Sequence, residues 1–152
     1  VLCLGSEIHP KLTEWGYVYR FNPKAVKVLN EILQITDAEI IISSDWKLFY
    51  TLDNLKEIFK WQRVVKEPID VTPSVPYSAM QLLEENRAKE ILEHYDIHKP
   101  GSWIAIDDLN LGSWISEKHF VLTPRFMEGI KQTGKKDEII NKLLYNIKNE
   151  LD

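Results

Sequence analysis

In this chain of 152 residues, short apolar runs repeatedly end in groups that can bind or transfer an anion. Glu39-Ile40-Ile41-Ile42 runs into Ser43-Ser44-Asp45, Trp103-Ile104-Ala105-Ile106 into Asp107-Asp108, and Phe120-Val121-Leu122 into Thr123-Pro124. Adjacent carboxylates such as Asp107 and Asp108 repel each other in a partly buried site unless a cation, hydrogen bonds or a shared proton compensates. A hard divalent cation is the simplest compensation, and magnesium favours a few carboxylates, several waters and a phosphate oxygen. Hydroxyls such as those of Ser43 and Ser44 can donate to the same phosphate. A plainer reading stands beside this one. Asp and Ser commonly cap turns and helices, and Arg87 and Lys89, in the middle of a predicted helix, are by default a solvated face.

Elements must hold these groups in place, and the pattern around them predicts which. Asn22-Pro23 opens a helix, because Asn22 can accept from free amides and Pro23 lacks only an N–H that the first turn does not use. Val26, Leu29, Ile32 and Leu33 form its apolar stripe. Ile40 to Ile42 is too uniformly apolar for a strand with one wet face and suits a central parallel strand. A second helix is predicted from Thr51, with Leu52, Leu55, Ile58 and Phe59 on one face. Three prolines, Pro68, Pro73 and Pro76, make the stretch from Gln62 to Pro76 extended or loop, with a short strand expected at Arg63 to Val65. A long helix is expected from near Ser78, carrying Leu82, Leu83, Ile91, Leu92 and Tyr95, and Lys99-Pro100-Gly101 ends it. A last helix from Lys135 carries Ile139, Ile140, Leu143, Leu144 and Ile147.

Short apolar strands alternating with amphipathic helices imply right-handed crossover units, hence an open parallel sheet with helices on both faces, an α/β three-layer sandwich in one domain. In such sheets the ligand crevice lies at the carboxyl ends of the strands, so Ser43, Asp107, Asp108 and Thr123 should converge although they are far apart in sequence. Composition agrees with a soluble globular domain, since 44% of residues are apolar and 28% charged. One cysteine, Cys3, excludes an internal disulfide framework and fits a reducing, cytoplasmic setting. The net charge of −4 gives no global attraction to nucleic acid or anionic membranes, and no apolar stretch approaches the roughly 20 residues that cross a bilayer.

Taken together, Ile40-Ile41-Ile42-Ser43-Ser44-Asp45-Trp46, Arg87-Ala88-Lys89-Glu90-Ile91 and Trp103-Ile104-Ala105-Ile106-Asp107-Asp108 resemble, in order and spacing, the second, third and fourth motifs of the haloacid dehalogenase (HAD) superfamily of phosphatases. The likeness is greatest to the small HAD domain of bacterial RNA-repair proteins, to which Thr72-Pro73 and the segment from Thr123 to Gly129-Ile130 are also similar. The resemblance implies a Rossmannoid fold without a large cap. It implies that Asp107 and Asp108 hold Mg2+, that Ser43, with Ser44, binds a phosphoryl oxygen, and that Arg87, or Lys89 in its place, supplies positive charge. The superfamily's first motif, an Asp-x-Asp-Gly followed by Val or Thr and Leu, has only Val1-Leu2 as its counterpart here, and no Asp-x-Asp occurs anywhere in the chain. The first strand and its nucleophilic aspartate are therefore expected upstream of Val1, and these 152 residues alone are expected to be inactive.

Two functions of different class follow. One is a magnesium-dependent phosphohydrolase working through an aspartyl-phosphate, its open site suited to extended phosphorylated substrates such as polynucleotide ends, with Trp15, Tyr17, Tyr19 and Trp46 available to stack on a base. The other is a catalytically inactive module of the same fold that retains a phosphate site or a protein partner. Neither the oligomeric state nor the physiological substrate is legible in the sequence.

Overall fold

The computed structural model describes residues 1–3, 10–76, 80–125 and 128–150, the last four of these by backbone. A hairpin comes first, β1 (Lys11–Thr13) antiparallel to β2 (Gly16–Val18). Helix α1 (Pro23–Thr36) begins where Asn22 accepts from the amides of Lys24 and Ala25 at 2.9 and 3.2 Å, and it stops where Asp37 takes the left-handed conformation at φ 55°. Then follow β3 (Ile40–Ile42), a short α2 (Trp46–Phe49), and α3 (Leu52–Trp61), which the Thr51 hydroxyl caps by accepting from the Asn54 amide.

The expected strand at Arg63 to Val65 is not formed. Arg63 adopts φ 65° and the Val64 amide donates back to the Phe59 carbonyl, so these residues unwind the end of α3 and tuck Val64 into the core. The strand lies further on, as β4 (Pro68–Val71), with proline in the first position, where a missing donor is tolerated. Helix α4 (Leu83–His98) starts later than expected. Its predicted start at Ser78 lies outside the described residues, and Leu82 and Leu83 are half-exposed rather than part of the buried stripe. β5 (Ala105–Asp107), β6 (Phe120–Leu122) and α5 (Lys135–Glu150) complete the fold. In α5, Ile139, Ile140 and Leu143 are buried, Leu144 is partly exposed, and the side chain of Ile147 lies outside the described residues.

The result is a mixed α/β architecture with five helices and small parallel sheets among the described residues. The expected single open sheet is instead present as two parallel pairs, β3 with β4 and β5 with β6. Among the described residues the two pairs do not pair with each other, and residues of both, Ile40 and Ile41 on β3 and Ala105 and Ile106 on β5, line a common cleft of about 920 Å³. Helix α1 spans both pairs. Ala25 and Ile32 pack with Val121, Ile139 and Leu143, while Val26 and Leu33 pack with Ile42, Leu55 and Phe59. Helix α4 covers the other side of the β5–β6 pair through Ala88 and Ile91.

Strand alternation then decides where Asp107 points. Successive strand residues face opposite sides. Ala105 packs with the α4 cluster and Ile106 with the α1–α5 cluster, so Asp107 returns to the face where α4 carries Arg87.

Candidate functional site

All four strands of the two parallel pairs end in a polar residue at the same edge, and backbone bonds hold neighbouring exits together. The Thr72 amide donates to the Ile42 carbonyl at 2.9 Å, placing the exit of β4 beside Ser43. The Thr123 amide donates to the Asp107 carbonyl at 2.9 Å, placing the exit of β6 beside Asp107 and Asp108.

Arg87 ties the two pairs together. Its guanidinium donates to Asp107 Oδ2 at 2.7 Å and to Asp45 Oδ1 at 3.4 Å, so a single side chain links the residue two past Ser43 to the end of β5. Asp107 and Arg87 are almost fully enclosed, whereas Asp45 is mostly in solvent. Burial pushes the Asp107 carboxyl above the usual carboxylate range, against the pull of the Arg87 charge and of the Leu109 amide, which donates to Oδ1 at 3.0 Å; a hydrogen bond with Asp108 raises it further. Two acids that share a hydrogen bond at the end of a buried strand form the arrangement a divalent cation relieves.

Asp108 opens onto a shallow pocket of about 480 Å³ that Asn110, Thr123, Arg125 and Lys135 also line. The Thr123 hydroxyl is fully buried there and has no hydrogen-bond partner among the described residues. Hard oxygen donors with lone pairs to spare, next to an unsatisfied hydroxyl and open to solvent, fit Mg2+ with its retained waters. Asp107 and Asp108 are the residues that would hold it.

The remaining candidates fall in several places. Ser43 is half-buried and lines the cleft between β3 and β5. The Ser44 hydroxyl accepts from the Trp46 amide at 3.4 Å, which gives it the turn-capping role at the start of α2. Lys89 is half-exposed and pairs with Glu85 one turn back on α4 at 3.4 Å, away from the Arg87 cluster. Trp46 packs between Phe21 and Tyr50, and the Trp15 indole donates to Glu57, so both rings serve packing; Tyr17 and Tyr19 are exposed.

The sequence reading gave no role to Lys47 or Glu90. Both are buried and ion-paired, and the Lys47 ammonium also donates to the Thr72 hydroxyl at 3.0 Å and to the Pro73 carbonyl at 3.1 Å. This buried cation joins α2, the exit of β4 and α4 just behind Arg87. The signal was present in the Thr72-Pro73 pair and in Glu90, one turn after Asn86, which donates to the Glu90 carboxylate at 3.1 Å.

At the level of the superfamily the domain is a phosphohydrolase of the HAD type. The chain belongs to the family of HAD domains in Swiss Army Knife RNA repair proteins, whose profile matches residues 4–133. Comparison with curated proteins and with solved structures returns no match. No helix among the described residues is long and apolar enough to cross a membrane.

Proposed function

We propose that this domain hydrolyses phosphate esters with the aid of Mg2+ bound at Asp107 and Asp108. The observation that carries the reading is the Arg87 bridge, 2.7 Å to Asp107 and 3.4 Å to Asp45, which gathers the exits of β3 and β5 around one positive charge. Phosphoryl transfer depends on in-line positioning and charge stabilisation, and these groups supply both. Arg87 neutralises charge on the phosphoryl oxygens. Ser43, at the mouth of the cleft, donates a hydroxyl to one of them, and Ser44 holds the turn that presents it. Bound Mg2+ supplies electrostatic stabilisation of the phosphate.

The cleft bears on where the nucleophile would enter. β3 and β5 both line it, no described strand pairs between them, and buried backbone groups require partners. Val1 and Leu2 are held at the carboxyl edge, where the Val1 carbonyl accepts from the Ile130 amide at 3.2 Å and the Leu2 carbonyl from the Asn22 amide at 2.9 Å. A strand seated in the cleft parallel to β3 and β5 would bring a carboxylate near its end toward Arg87 and Asp107. The small β1–β2 hairpin is no large cap, so the site takes extended phosphorylated substrates, polynucleotide ends among them, in a cytoplasmic setting.

The test is hydrolysis of an aryl phosphate by the intact protein, including whatever precedes Val1, across a Mg2+ titration. Asp108→Asn is expected to raise the Mg2+ concentration needed for half-maximal rate at least tenfold. Equal Mg2+ dependence in parent and variant refutes the metal assignment, and an intact protein that binds inorganic phosphate without turnover supports the inactive module instead.

A further inference from the structure

Between β4 and the C-terminal half of α4 lies a second cluster of potential ligands that the phosphohydrolase reading does not use. Asp70 on β4 faces His94 and His98 on α4. Its Oδ2 atom lies 3.0 Å from His94 Nε2 and 3.5 Å from His98 Nε2, and the three ligand atoms all lie within 4.8 Å of one another. From this geometry we infer a second metal site, in which Asp70, His94 and His98 bind a divalent transition metal of the Zn2+ class.

Spacing, distance and donor type agree. Histidines four apart on a helix present their rings from one face, and the two ring centroids here are 4.2 Å apart. Tetrahedral zinc with bonds of about 2.0 to 2.2 Å sets its ligand atoms roughly 3.3 to 3.5 Å apart, which the observed oxygen–nitrogen separations bracket. Two imidazoles and one carboxylate form a borderline-soft donor set, which favours zinc, copper or nickel over magnesium. Three protein ligands leave one position for water or an incoming ligand. The site is also reachable, since His94 is largely enclosed while Asp70 and His98 are 39% and 51% exposed.

An ion here is separate from the phosphate site. His94 lies seven steps along α4 from Arg87, about 10 Å at 1.5 Å per residue, and His98 is one turn further. The ion joins β4 to the C-terminal half of α4, two elements that line the same cleft, so it fixes the cleft wall at the end remote from Arg87. This inference stands independently of the proposed activity.

The experiment uses tag-free intact protein and Zn2+ itself, with calorimetry and competition against a chromophoric chelator. One Zn2+ per chain is expected, displaced by EDTA and unaffected by millimolar Mg2+. His98→Ala and His94→Ala should each weaken binding at least tenfold, and His98→Ala, made at a half-exposed position, should keep the parent's circular dichroism spectrum. Co2+ should give the visible absorption of tetrahedral coordination, lost in His98→Ala. Asp108→Asn should bind Zn2+ as the parent does, which separates this site from the magnesium site. Zn2+ affinity unchanged in His98→Ala and His94→Ala, or the absence of a one-to-one complex at micromolar Zn2+, would overturn the assignment. The cluster would then be a histidine–carboxylate clasp only.

Discussion

Arg87→Met tests the bridge that defines the site. The substitution keeps much of the side-chain volume and removes the charge, leaving Asp107 with one donor, the Leu109 amide at 3.0 Å. Breaking a fully buried ion pair from one side typically costs about 3 to 5 kcal/mol. The Arg87 and Asp107 side chains are 11% and 6% exposed, and the remaining amide compensates part of the loss, so we expect about 2 to 4 kcal/mol at neutral pH. Asp107→Asn should recover much of it, because the buried charge is gone, with a coupling of about 1.5 to 3 kcal/mol in the double-mutant cycle. The pH dependence has a definite sign. Burial raises the folded-state pKa of Asp107 above its unfolded value, so its contribution is fully present below the unfolded pKa and is lost as pH rises through the folded one. Without Arg87 that folded pKa rises further, and the gap between variant and parent should widen from acid toward neutral pH. Urea unfolding of the four proteins at several pH values measures this. A cost under about 0.5 kcal/mol, the scale of an ordinary surface substitution, or an additive cycle, would show that the pair contributes nothing specific.

Three further outcomes follow from particular residues. Ser43→Ala should slow aryl phosphate hydrolysis by the intact protein at least tenfold while moving the unfolding midpoint little; a loss of stability that accounts for the loss of rate would make Ser43 a structural residue. Burial pushes the Cys3 thiol up to about 11, so its thiolate fraction at pH 8 is about one in a thousand, against roughly one in four for a free thiol. Intact mass should therefore show alkylation by iodoacetamide on the order of a hundredfold slower in the native protein than in urea, and equal rates would contradict that burial. Leu55, fully buried against Phe59 and Ile42, should cost about 2 to 5 kcal/mol when truncated to Ala, whereas the mostly exposed Leu48 should stay within about 0.5 kcal/mol.

How far the sequence could be read depended on whether a feature was local. Asn22-Pro23 specifies its own helix start, because the cap and the proline act within one turn, and the apolar runs at Ile40 and Ala105 specify strands that pair in parallel. The acidic end of β5 was legible for the same reason. What escaped was set by tertiary partners. Val64 falls in the expected Arg63 to Val65 strand, but Arg63 in a left-handed conformation turns it into the core under α1 and α3. Lys89 and Arg87 are two apart on one helix and equally charged in sequence. Only the helix register separates them, turning Arg87 onto Asp107 and Lys89 onto Glu85. Lys47 carried no reading from the sequence. Its burial depends on Glu90, 43 residues away, and on carbonyls beyond β4 that no local pattern reveals.

The unpaired edges of β3 and β5 bear on both questions. Parallel strands are normally hydrogen-bonded and covered on both faces, and an exposed edge in an apolar cleft leaves amides and carbonyls that cost about 1 to 3 kcal/mol each when neither water nor backbone reaches them. Here β3 and β5 line the same space, α1 packs against both pairs and α4 against β5–β6, and the polar residues gather at one end of that space. The cleft therefore has the requirements of a central strand, with backbone bonding on both sides, apolar contacts along its length and a charged terminus beside Arg87. A helix or a small molecule meets only the second of these. On the proposed reading, a strand seated there would also bring its carboxyl end beside Arg87 and Asp107, so the edges of β3 and β5 and the phosphate site would be served by one segment.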